Sequence, residues 1–304
     1  MSMVTTTLTL RDLIEETLNM LHADPSTRPR TVTLAAALTD TTGTTVDLAA
    51  IDDAYVEPPC VLEIDQELML VTAKSGTPTY TVSRGYAGST AATHLINAVG
   101  AVNPLYPRHL VSKQLQRFFQ TVGNAHLPQV TNTTLTTDGS AGVALPANCM
   151  KVLRVLYQDA NEQLYDLEGS WREFSWLSPS LETDQRRLQV PARYRASGTV
   201  LYVTYQRYWS WSSEPPSETS TISFPTGGED LPALYVSAYL ATGLELTRTM
   251  LDRIEDWPES RAENRQINRA FIRDRWVQFW TRMEEARSTM DKPMTRHYRR
   301  RVKV

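Results

Sequence analysis

Apolar residues first recur at helical spacing between Leu10 and Leu21, where Leu10, Leu13, Ile14, Leu18 and Leu21 form a single stripe. Thr9, with Asp12 three residues on, predicts a capping-box start in which Asp replaces the usual Glu. One short amphipathic helix is marginal by itself, so this one must pack on helices later in the chain. The period then shortens. Thr31–Leu38, Val61–Ile64, Leu68–Ala73, Thr79–Arg84 and Ala98–Val102 are short runs of strand-forming residues, with Gly100 inside the last. Turn residues at 40–43, 57–59 and 75–78 divide them. Many short strands with no helix between them predict a small barrel or sandwich over 25–105.

Pro107 predicts the start of a second helix, which runs to about Val122 and stops at Gly123-Asn124. A β pattern returns from Val130 to Trp211, with strands at Val143–Leu145, Lys151–Tyr157, Gln163–Leu167, Arg187–Val190 and Thr199–Tyr208. The last of these is apolar on both faces and is expected in the middle of a sheet. Ser212–Ser220 has no large apolar residue and reads as an exposed loop. Asp230 as N-cap and Pro232 in the first turn open a long helix to about Leu251. It is apolar around most of its circumference, so it is expected to be central. Ser260 and Glu263 form a capping box for a last helix over about 261–290. Its stripe is Ile272, Trp276, Phe279, Trp280, Met283 and Met290, and Pro293 is its expected stop.

These elements predict an α+β chain: a helical bundle with two inserted antiparallel β modules (small barrel or sandwich) and an extended basic C-terminal tail. Residues 1–24 form the first bundle helix, 25–105 the first insert and 106–126 the second helix. Residues 127–229 form the second insert, 230–290 two long helices and 291–304 the tail.

At 304 residues the chain is long enough to bury a sizeable core without disulfides or metals. Cys60 and Cys149 lie far apart with no metal-ligand spacing, and buried free thiols are expected. No signal-peptide pattern opens the chain and no apolar run is of bilayer-spanning length, so a protein made in a cytoplasm with no membrane partner is expected. The histidines His22, His94, His109, His126 and His297 fall in no zinc-site grouping, and surface or capping roles are expected of them. Neither a dinucleotide fingerprint, a P-loop nor a G-x-S-x-G elbow occurs. Asp52-Asp53 and Glu15-Glu16 are adjacent acids whose side chains diverge, and they read as solvated charges. The expectation is a protein that is not an enzyme, with no catalytic residue, no cofactor and no metal.

Charge adds one feature. The formal net charge is −3, but residues 291–304 carry six cations against Asp291 alone. That is a net of +5, which leaves −8 for the first 290 residues. A basic tail on an acidic body reads as an interaction tail, for nucleic acid or for an acidic protein surface. Lys292, Arg296, Tyr298, Arg299, Arg300, Arg301 and Lys303 are its candidate partner-binding residues. Arginine outnumbers lysine 26 to 5, which fits either bidentate carboxylate pairing or a high-GC genome.

Ile64-Asp65-Gln66-Glu67-Leu68-Met69-Leu70-Val71, then Val82-Ser83-Arg84-Gly85-Tyr86-Ala87-Gly88-Ser89-Thr90-Ala91-Ala92, His94 and Ala98–Val102, resemble a small β module common in tailed-bacteriophage virion proteins. The family form is I-x-x-E-x-M-x-V followed by V-x-R-G-x-x-G-T-x-A-x-x-H, with Ser89 here in place of Thr. The segments Leu145-Pro146-Ala147-Asn148, Leu201–Tyr205 and Asp230-Leu231-Pro232 are similar in pattern to head–tail connector adaptors. That resemblance implies a structural virion protein at the head–tail interface: a homo-oligomeric ring, usually of twelve copies, beneath the portal protein. Such a ring joins the capsid to a downstream neck or tail protein. It passes double-stranded DNA through its lumen without sequence-specific binding, and the basic C-terminal segment docks on the portal. The alternative is a tail or baseplate protein whose β module binds host-surface glycan, with Trp209 and Trp211 stacking on sugar.

Overall fold

The computed structural model describes residues 5–22, 28–140, 142–158, 163–167, 170–177, 184–213, 216–252 and 262–295. They divide into two compact units, one of Thr9–Phe118 with Asp230–Trp280, the other of Met1–Leu8, Phe119–Glu229 and Thr281–Val304. Strand β1 (Thr5–Thr9) comes first and its last residue caps helix α1 (Leu10–Leu21). Thr9 Oγ1 accepts the Asp12 N–H at 3.1 Å and donates to the Asp12 carboxylate at 2.6 Å. Leu10, Leu13, Ile14 and Leu21 are buried, as the stripe requires.

In the first unit, β2 (Arg30–Thr33), β3 (Thr45–Asp47), β4 (Cys60–Ile64), β5 (Glu67–Lys74), β6 (Thr79–Ser83) and β7 (Val99–Val102) form one antiparallel sheet, ordered β2-β7-β4-β5-β6-β3. Its alternating inward residues, among them Val32, Val46, Leu62, Met69, Val71 and Tyr80, make a core of their own. Gly100 is required where β7 crosses β4, because a Cβ there would lie 2.6 Å from the Glu63 carbonyl oxygen. The chain then enters α2 (Arg108–Phe118), whose first N–H groups have no partner within the helix. Glu63, buried on β4, accepts the Arg108 N–H and caps that end from 45 residues away.

A π turn over Phe119–Gly123 and the short α3 (Asn124–His126) follow, in the second unit. There β8 (Gln129–Thr136), β9 (Val143–Ala144), β10 (Cys149–Gln158), β11 (Leu164–Asp166), β12 (Arg172–Leu177), β13 (Asp184–Gln189), β14 (Val200–Arg207) and β15 (Thr221–Pro225) form three sheets. Their orders are β11-β10-β14-β8, β12-β13-β9 and β1-β15. Val152, Val155, Leu201 and Val203 from the first share one core with Leu188 from the second. The chain returns to the first unit in α4 (Leu231–Asp252), which packs on α1 and α2, with Phe118 and Tyr235 ring centroids 5.3 Å apart. Helix α5 (Ala262–Thr295) is the last element.

Several sequence expectations need correction. The protein is α+β with several antiparallel sheets, but it is not a helical bundle, since helices are few beside the strands. The six-stranded sheet does not close into a barrel. Its edge strands β2 and β3 meet just beyond their ends, at the bridge Leu34↔Leu48. The apolar pattern does not mark β1, β8 and β15 as strands: Thr dilutes β1 and β8, Asn132 interrupts β8, and β15 ends in Pro225. Helix α2 is shorter than expected, while Gly123 keeps helical angles inside the irregular continuation. Pro293 does not stop α5, which runs two residues beyond it, so the first residues of the supposed extended tail are helical. Trp280 is half exposed because the adjacent Phe279 takes the inward position. Ser260 lies outside the described residues.

Candidate functional site

The residues that carry the family resemblance meet around one buried carboxylate. Asp65 and Gln66 form a two-residue turn between β4 and β5, with Asp65 at φ 53°, and Glu67 opens β5 directly after it. Arg84 follows the end of β6, the neighbour of β5, and reaches Glu67 with two parallel bonds, Nε–Oε1 at 2.6 Å and Nη2–Oε2 at 2.7 Å. Gly85, at φ 63°, turns the chain back over the site and donates its N–H to Oε1 at 3.1 Å. Ala92 N–H donates to Oε2 at 2.9 Å, and His94 Nε2 lies 2.9 Å from the same oxygen. His94 Nδ1 lies 2.7 Å from Asp65 Oδ2. Arg84 also donates to the carbonyls of Asp40 and Ala92. Ser89 Oγ accepts the Leu68 N–H at 2.9 Å.

The electrostatics follow from this wiring. Burial alone would raise the Glu67 carboxyl, but the Arg84 bonds, the Ala92 and Gly85 amides and His94 outweigh it and hold it at about 2. Burial would lower His94; the carboxylates of Asp65 and Glu67 outweigh that and raise it. Both ring nitrogens face carboxylate oxygens, and only the imidazolium can donate to both. Five donors saturate the Glu67 oxygens, so the group acts as a clamp that ties loop 84–94 to β5. The expectation of a surface or capping role for His94 is therefore corrected: it is buried and paired. Asp52 and Asp53 are likewise not simply solvated. They diverge, Asp52 accepting the Thr33 N–H at 2.8 Å and Asp53 accepting Lys74 Nζ and Tyr80 Oη at 2.6 Å each.

Outside the clamp, the first β module presents large apolar side chains to solvent. Leu95 is 80% exposed and Ile51 81%, with Ile96, Val99 and Tyr86 also exposed. Of the candidate docking residues, Lys292 belongs to the α5 backbone. Arg296, Tyr298, Arg299, Arg300, Arg301 and Lys303 lie outside the described residues. Trp209 is buried, its Nε1 donating to the Leu127 carbonyl at 2.7 Å, and is not available to stack on a sugar. Trp211 packs edge-on against Phe119 and lines a shallow polar cleft with Gln129, Arg207 and Ser210. Cys60 and Cys149 are buried and free.

Glu67, Arg84 and His94 are letters of the motif quoted for the resemblance, but neither a role for them nor their mutual bonds is legible in it. Glu63 is likewise not legible as a cap; its signal in the sequence is an acid inside an apolar strand. No family model matches the chain, and no curated protein matches it in sequence.

Proposed function

We propose that the protein is a structural virion component, a head-to-tail adaptor. It forms a ring beneath the portal protein, connects the capsid to the neck or tail and passes double-stranded DNA without reading its sequence. The observation that carries this reading is the Glu67–Arg84–His94 clamp. The residues shared with the phage virion module are those that rigidify loop 84–94, and the same module displays exposed Leu95 and Ile96. A pre-organised block that exposes individual apolar side chains such as Leu95 suits an assembly subunit, whose contacts form only in the particle. The acidic body suits a lumen that lets DNA slide, and the arginine-rich end suits carboxylates on a portal.

Negative-stain imaging of the purified protein mixed with portal tests the reading: stacked rings support it, and no association refutes it. Deletion of 291–304 is expected to give heads that package DNA but lose it or stay tailless; normal tailed particles would remove the docking role. The glycan-binding alternative retains Trp211 in its cleft, and immunogold signal at the distal tail rather than the capsid vertex would favour it.

A further inference from the structure

Strand β8 pairs with β14 over its whole length, from Gln129↔Arg207 to Thr136↔Val200, without a bulge. No strand lies on its other side among the described residues. Thr137 N–H donates to the directly opposite Thr199 carbonyl at 2.9 Å, so residue 137 faces β14. Antiparallel strands alternate, so 135, 133, 131 and 129 face β14 too. Val130, Asn132, Thr134 and Thr136 therefore aim four N–H and four C=O groups outward, and none of these is hydrogen-bonded among the described residues. Natural edge strands are protected by charge, proline, bulges or shortness. The eight residues Gln-Val-Thr-Asn-Thr-Thr-Leu-Thr contain no charge and no proline.

We infer that β8 is an intermolecular edge, and that it pairs antiparallel with β8 of a second copy of this chain. A two-fold axis normal to the sheet keeps each face on its own side, so paired residue numbers must sum to an even number. The register through Thr133 satisfies every outward group at once: Val130 opposite Thr136 and Asn132 opposite Thr134, each twice. Thr133 then meets its own counterpart in a non-hydrogen-bonded pair, and Thr131 meets Leu135. Uncharged residues face one another throughout, with no like-charge pair to oppose the contact. The contact is isologous, whereas a ring closes through heterologous ones. It therefore belongs to the free protein and does not rest on the virion reading.

The test is the mass of the purified full chain by sedimentation, with two variants. Thr134→Pro removes an outward N–H while sparing the β14 ladder, since a proline is tolerated on the open side of an edge strand. Wild type should sediment as a dimer and Thr134→Pro as a monomer with unchanged circular dichroism. Thr133→Cys should form an intermolecular disulfide on mild oxidation, because opposed residues in such a pair have Cα atoms ~4.5 Å apart. Asn132→Cys, off the axis, should not. A monomeric wild type, an oligomer insensitive to Thr134→Pro, or cross-linking at 132 instead of 133 would each overturn the inference.

Discussion

Glu67→Gln keeps the shape of the clamp and removes its central charge. Arg84 and His94 are then left buried against a neutral amide with a single accepting oxygen, so the donors that met the other Glu67 oxygen lose their acceptor. Moving the carboxyl from its ordinary 4.5 to about 2 corresponds to ~3 kcal/mol of folded-state stabilisation at neutral pH. The contribution is complete above pH 4.5 and is lost as pH falls to about 2, because the protonated acid no longer pairs with Arg84. His94 runs the other way: its raised value stabilises the fold below its ordinary 6.5 and is lost as pH rises through the folded-state value. Hydrogen exchange reads this locally, since the Gly85 and Ala92 amides both bind Glu67. Their protection at pH 7 should fall ~100-fold in Glu67→Gln, the equivalent of ~3 kcal/mol, and the gap should narrow between pH 4.5 and 2. Protection unchanged at pH 7, or a gap independent of pH, would refute the clamp as the source of loop order.

Gly100→Ala places a methyl 2.6 Å from the Glu63 carbonyl, where neither backbone can retreat, and should lower the melting temperature of the first unit by the equivalent of ~2 kcal/mol in calorimetry. Thr9→Ala deletes the α1 cap and should cost ~1 kcal/mol in urea unfolding, with Thr9→Asp restoring most of it. Glu63→Ala leaves the α2 N-terminus without its acceptor; a loss of ~1–2 kcal/mol is expected, with faster exchange at the Arg108 amide.

Helices α1 and α4 were legible because their information is local: a cap, a stripe and a stop within one stretch. The two β regions were legible as regions, from their turns, while single strands such as β8 and β15 were not. Thr and Asn serve strands and loops equally, and what made β8 a strand is eight residues of β14 some seventy positions away. The clamp shows the same limit. Glu67, Arg84 and His94 stood out as a pattern, yet the bond from His94 to Asp65 depends on a turn that puts two acids on either side of one ring. Pro293 does not end α5, because a proline in the final turn of a long helix removes few bonds.

Glu63 bears on how separable the first β module is. An insertion that merely hangs between two helices can be excised or exchanged, as loops often are. Here a carboxylate on β4 completes the first turn of α2, and Gly100 is the residue that lets β7 lie close enough to hold β4 in place. Removing residues 25–105 would thus expose the end of a helix outside the module. In evolutionary terms the module is not a cassette that can be traded freely; any replacement would have to bring its own acid to the same spot.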